Sequence, residues 1–409
     1  MNENTVYIIL CTGQSNGVFH SYQSMPVDYV NTPSGNKMIK SNDEGTQLVL
    51  TDDYTPDQNG TILSSRASRI YSFMYETSPG VYGQRAFCGP VNHTVLLARE
   101  LRRYYLEKQN KNIQFITINY AIGGGHIDNI GTVPGGYFLG KGSFGHTKMI
   151  EAVQLAKDYA TSVGKNIEIA FIHMLEGAWE LLLSSTCTTS EEYRLLLKNF
   201  RFNVFSDTRS ITGQSYIPRV FLTQEYITST TEGPEITMQQ IQYDGSDEDV
   251  LLIMPSYHLS TLQGFEHYET GSGIKLVSGL TEAIYNELNH TSSRVIPGSV
   301  VKIDNRTIKL TVLSKDDIVI NTSKGTTVGH GFKHFDGTNY NLPASVSLLG
   351  KEITITTNED ITVNSQLAYM SAPPLNDARA GSFISTVSNN SYLGYGNEQY
   401  LMSFMKKIV

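Results

Sequence analysis

A serine stands fifteen residues into the chain, between two glycines, in Gly13-Gln14-Ser15-Asn16-Gly17. The run before it, Val6-Tyr7-Ile8-Ile9-Leu10, is short, apolar and β-branched, and reads as a buried strand. Gly-x-Ser-x-Gly after such a strand is a sharp turn into a helix that lifts the serine hydroxyl above the sheet as a nucleophile. The same pentapeptide also serves as an ordinary strand-to-helix turn, so its surroundings must decide. A serine that attacks an acyl group needs a base and N–H donors for the oxyanion. Asn119-Tyr120-Ala121-Ile122-Gly123-Gly124 follows the next strand and ends in glycines. A glycine N–H approaches a substrate carbonyl with no Cβ in the way. Two histidines compete for the base: His258, after the strand that ends at Ile253, and His267, ahead of the following helix.

These residues are carried by alternating strands and helices. Strand-like runs at 113–118, 167–172, 220–223 and 250–253 alternate with amphipathic runs at 96–108, 149–163, 191–208 and 274–288. That alternation is the signature of a parallel α/β sheet. Segments 22–80 and 126–147 show no clear period. Six glycines between Gly131 and Gly145 suit an active-site loop better than a core element. After His290, short alternating runs at 300–303, 307–312, 318–320 and 353–356 are separated by turn residues, with a helix expected only near the C-terminus. This texture predicts a separate all-β, sandwich-like unit. The boundary falls between residues 292 and 297, which divides the chain into 1–293 and 294–409.

Composition excludes several classes. Hydrophobic residues make up 40% and charged residues 17% of 409, the balance of a globular chain with ample core. A net charge of −8 and the lack of a basic run speak against nucleic acid as a partner. No apolar stretch has the ~18 residues of a membrane helix, so no membrane partner is expected. The chain enters its first strand at once, without a signal peptide, which points to the cytoplasm or a virion. Cys11, Cys88 and Cys187 make no disulfide framework, and Cys11 at a strand end reads as a small inert hydrophobe. His and Cys are scattered with no ligand spacing, so no metal or other cofactor is expected. The 24 tyrosines, with many Gly, Asn, Thr and Ser, lean toward sugar contact.

Position separates the two architectures that use a Gly-x-Ser-x-Gly serine. An α/β-hydrolase places several strands before its nucleophile, and here there is no room for them. A nucleophile on the first strand resembles the SGNH (GDSL-type) hydrolases. Gly13-Gln14-Ser15-Asn16 is similar to the sialate O-acetylesterase version of their first block. Further likenesses follow in order: Gly89-Pro90 before the helix Leu97-Ala98-Arg99-Glu100-Leu101; Gly124-Gly125-His126-Ile127; Met174 to Glu180 after a strand; Gly331-Phe332, Asp336-Gly337 and Pro373 to Ala378 near the end. Lys275 and Gly279, four residues apart on the last helix of the unit, match the family's final block and favour His267 over His258.

The resemblance implies a flavodoxin-like, three-layer α/β/α fold with a parallel sheet, followed by a C-terminal β-sandwich-like domain. It implies a serine esterase acting on O-acetyl groups of sialic acid or another acetylated glycan. Ser15 would be the nucleophile, His267 the base with His258 as the alternative, and the N–H groups of Ser15 and Gly124 the oxyanion donors. Gly123, Asn16 and Glu176 would line the substrate and oxyanion region. Two positions depart from the pattern. The acid three residues before the histidine is missing, since Gly264 precedes His267 and Pro255 precedes His258 at that spacing. Either a Ser–His dyad works with a backbone carbonyl holding Nδ1–H, or Glu266 or another acid substitutes. Glu176 stands where the family has a glutamine that donates to the oxyanion, so it must be protonated, turned to a cation, or outside the site. A catalytically inactive glycan-binding or virion receptor-binding protein, as on phage tails that carry such domains, is the alternative. Oligomeric state stays open.

Overall fold

In the computed structural model the described residues are 1–13, 35–41, 47–52, 75–78, 81–83, 93–121, 125–126, 137–138, 140–175, 189–224, 238–259, 270–321, 329–370, 383–385 and 399–409. In chain order the first elements are β1 (Thr5–Gly13), β2 (Lys37–Ser41), β3 (Leu48–Asp52), β4 (Tyr75–Ser78), β5 (Val81–Gly83) and α1 (His93–Gln109). Next come β6 (Gln114–Asn119), β7 (Gly125–His126), β8 (Tyr137–Phe138), α2 (Phe144–Ser162), β9 (Asn166–Leu175) and α3 (Ser190–Thr212). β10 (Arg219–Gln224), α4 (Met238–Gly245), β11 (Val250–Pro255) and α5 (Thr270–Leu288) complete the α/β part.

The main sheet runs β11-β10-β9-β1-β6-β2-β3. β1, β6, β9, β10 and β11 are all parallel to their neighbours, in the doubly wound order 2-1-3-4-5. Strands covered on both faces need apolar side chains on both, and every residue of β1 and β11 is buried. One face of the sheet packs Val6, Ile8 and Leu10 against Met149, Val153 and Ala156 of α2 and Leu197, Phe200 and Val204 of α3. The other packs Tyr7, Ile9 and Phe171 against Leu97, Leu101 and Tyr105 of α1 and Leu276, Leu280 and Ile284 of α5. The layers are therefore α/β/α. A register shift between Ile8 and Ile9 against β9 puts both Ala170 and Phe171 on the α1/α5 side. Beyond it, Cys11 and His173 are register partners.

Sequence pattern missed several elements. β2 and β3 lie inside the stretch without clear periodicity, and β4 and β5 pair as a short hairpin there. β2 joins β6 in parallel and β3 turns back along β2, so they extend the edge of the sheet, where polar residues are tolerated. α4 has only eight residues, too few for a periodic signal.

After α5 all the described elements are strands: β12 (Ile296–Lys302), β13 (Thr307–Leu313), β14 (Ile318–Ile320), β15 (Phe332–Phe335) and β16 (Tyr340–Asn341), then β17 (Ser345–Leu349), β18 (Glu352–Thr356), β19 (Gln366–Tyr369), β20 (Phe383–Ser385) and β21 (Phe404–Lys407). Two antiparallel sheets, β12-β13-β18-β17 and β16-β15-β19-β21, are joined by the pair β14-β20. Their inward side chains, including Ile308, Leu310 and Ile355 from one and Phe332, Tyr369 and Phe404 from the other, share one core. The helix expected near the C-terminus is strand β21 instead. Pairing with β19 and burial of Phe404 override local preference there.

The last residues fasten this β part to the α/β part. Met402 enters the core on the α2/α3 side, and Tyr257 enters the core between the antiparallel sheets. Gln224, at the end of β10, donates to the Ser403 carbonyl and accepts from the Ser403 N–H, both at 2.8 Å and both buried. Gln224→Ala is expected to cost about 2–4 kcal/mol, because it strands a buried donor and a buried acceptor. Denaturant unfolding checks this; a loss under about 1 kcal/mol, the net value of a single ordinary hydrogen bond, would show that the clasp contributes little.

Candidate active site

In a doubly wound sheet the ligand crevice lies at the carboxyl ends of the strands, where crossovers leave on opposite sides. Here that point is between β1 and β9. The crossover after β1 carries α1 on one face, and the crossover into β9 carries α2 on the other. β1 and β9 stay paired to their last residues, Thr12 with Met174 and Gly13 with Leu175. Gly13 has φ +130°, outside the range of L side chains, and a Cβ on it would lie 2.0 Å from the Leu175 carbonyl oxygen. Only glycine fits at this turn, which comes two residues before Ser15.

β6 ends beside the same crevice. The Tyr120 N–H donates to the Cys11 carbonyl at 2.9 Å, which extends the β1 pairing by one residue. The Asn119 side chain accepts from the Ala121 N–H at 2.9 Å, a local turn at the carboxyl end of β6. Ser15, Asn16, Gly123, Gly124, Glu176 and His267 themselves lie outside the described residues. Ser15, Gly123 and Glu176 follow by one or two residues on Gly13, Ala121 and Leu175, which stand at or just past the carboxyl ends of three adjacent strands. His258 is described and buried. Its ring stacks on Tyr400 at 3.8 Å and 12°, and meets Tyr257 edge-on.

Beneath the crevice, on the α1/α5 side, the sheet carries polar groups that sequence reasoning passed over. Cys11 of β1, His93 at the start of α1 and His173 of β9 are all fully buried. Cys11 Sγ lies 3.0 Å from His93 Nε2 and 3.9 Å from His173 Nδ1. The other ring nitrogen of His173, Nε2, is 3.0 Å from the Thr223 hydroxyl of β10. Burial brings the His173 pKa down to about 3, so the ring is neutral across the physiological range. Cys11 is buried as its place on the strand implies, but among imidazoles rather than hydrocarbon. The one signal for this in sequence is His173, a titratable residue inside the otherwise apolar stretch from Ile169 to Leu175.

No family model matches the chain, and neither does any curated protein sequence. Solved structures do. A carbohydrate acetylesterase from Xanthomonas citri aligns over 98% of this chain and 80% of its own, with TM-score 0.57 and 10% identity. The fold resembles that of a carbohydrate acetylesterase. That likeness takes in the antiparallel sheets as well as the α/β layers, since 98% of the chain is covered. NanS aligns over 71% of this chain and 99% of its own at TM-score 0.40 and 11% identity. An Arabidopsis thaliana protein aligns over 70% and 100% at 0.41 and 13%. Among the described residues, no helix is long and apolar enough to cross a membrane.

Proposed function

We propose that the chain is a serine esterase of SGNH type that removes O-acetyl groups from a carbohydrate, with residues 1–293 as the catalytic unit and 294–409 as a β-rich accessory unit. The observation that carries this is Gly13: a glycine-only turn at the switch point, two residues ahead of Ser15, in a fold that resembles a carbohydrate acetylesterase. Ser15 Oγ attacks the acetyl carbonyl as His267 takes its proton. The N–H groups of Ser15 and Gly124 hold the tetrahedral oxyanion. The intermediate collapses with loss of the sugar oxygen, which recovers a proton from His267. Water, activated by the same histidine, then releases acetate from Ser15. Glu176 follows Leu175, the register partner of Gly13, and is compatible with a developing oxyanion only as a neutral acid or when paired to a cation.

The test is acetate release from O-acetylated glycans, sialic acids included, followed for wild type and for single histidine variants. The stacking of His258 under Tyr400 supports a packing role for that ring and favours His267 as the base. His267→Ala is expected to lower kcat by ~10²–10⁴-fold or more. His258→Ala should act mainly on stability. A dead His258→Ala with an active His267→Ala would move the base to His258. Binding of acetylated glycan with no acetate released by wild type would mean a glycan-binding protein on this scaffold.

A further inference from the structure

Acyl transfer at Ser15 makes no use of Cys11, His93 and His173. Their three donor atoms all lie within 4.8 Å of one another, in the interior. Two imidazole nitrogens converge on this sulphur, at 3.0 and 3.9 Å. A cation shared by all three donors satisfies them together. We propose that Cys11, His93 and His173 form a binding site for a transition-metal ion of the zinc class. One thiolate with two imidazoles is a borderline-soft donor set, suited to such an ion and not to magnesium or calcium. With Zn–S near 2.3 Å and Zn–N near 2.0–2.1 Å, a tetrahedral ion holds sulphur and nitrogen about 3.6 Å apart. The two separations present, 3.0 and 3.9 Å, bracket that value.

The second requirement of a metal site is also met. Thr223 Oγ1 sits against Nε2 of His173 and fixes the ring with Nδ1 toward the sulphur. Cys11 and His173 are register partners on the two strands that meet at the switch point, and His93 is the first residue of α1. An ion here pins the carboxyl ends of β1 and β9 to the start of α1, four residues before Ser15. As the metal–sulphur bond forms, the thiol proton leaves to solvent. Three protein ligands leave a fourth position for water. Failure of the esterase proposal would leave this site standing, and the reverse holds too.

The test uses the full chain from zinc-supplemented culture, dialysed, with its zinc measured by atomic emission and then exchanged for cobalt(II). One equivalent of zinc is expected, together with a thiolate-to-cobalt charge-transfer band in the near ultraviolet. Cys11→Ser should remove that band. Thr223→Val, which keeps the side-chain shape and loses the hydroxyl, should weaken zinc binding about 10–100-fold. Folded wild-type protein that retains no zinc and gives no cobalt band would overturn the proposal, and so would a cobalt spectrum unchanged in Cys11→Ser. The wild-type measurement stands by itself if the cysteine variant fails to fold.

Discussion

Ser15→Ala is expected to lower turnover of an acetyl ester by about 10⁴-fold or more and to leave the melting temperature nearly unchanged. The size follows from chemistry. Without its hydroxyl the site has no group to accept the acetyl, and what survives is the modest acceleration that binding and the oxyanion donors give to water. The small effect on stability follows from position, because a nucleophile after a strand-end turn is presented to substrate rather than packed. Hydrolysis of p-nitrophenyl acetate and a thermal melt of the same sample measure both halves. Turnover equal to wild type would remove Ser15 from the chemistry.

Gly13→Ala is expected to do the opposite, acting on the fold first. A side chain at φ +130° is strained in itself, and its Cβ would sit 2.0 Å from the Leu175 carbonyl oxygen, which is backbone and cannot swing away. Backbone strain of about 1–3 kcal/mol adds to about 1–3 kcal/mol of overpacking, so the loss should be about 2–6 kcal/mol. Against a typical total of about 5–15 kcal/mol, that is a large share of the stability. Denaturant midpoints measure it. An alanine variant as stable as wild type would mean that β1 and β9 are not held together at their ends, and the crevice would have to be sought elsewhere.

Much of the fold is legible in the sequence because buried parallel strands are apolar on both faces. Val6 to Leu10 marks β1, and the run 167–172 marks β9, although both strands continue to the crevice, to Gly13 and Leu175. Those last residues include Thr12 and His173, whose polarity hides them from a hydrophobic count. Helix ends lie beyond the amphipathic run and are marked by caps instead. α3 starts at Ser190, behind the capping box of Thr189 and Glu192, and ends at Thr212, before Gly213 at φ +74°. Both signals are local and readable, and they extend the amphipathic run 191–208 at each end. β2 and β3 left no pattern because each has five residues at a sheet edge, and among those whose burial is described only Ile39 is fully buried.

The candidate site divides in the same way. The turn at Gly13 is visible in sequence because only glycine tolerates that backbone, and a motif built on geometry leaves its letters behind. The Cys11, His93 and His173 cluster has no such letters. Its members are 82 and 162 residues from Cys11 and come together only when β9 takes its place beside β1 and α1 packs over both. The shift at Ile8 and Ile9 then sets His173 opposite Cys11. Such a register is decided by the packing of whole strands and cannot be read from spacing.

The most direct measurement is covalent labelling of the nucleophile. The protein is treated with a fluorophosphonate, which phosphonylates an activated serine, and the adduct is located by peptide mass spectrometry. A single adduct on Ser15, formed in step with the loss of acetate release and absent from folded Ser15→Ala, is the expected result. Full acetate release with Ser15 unlabelled, or an adduct on another residue that tracks the loss of activity, would contradict a serine esterase built on the turn at Gly13.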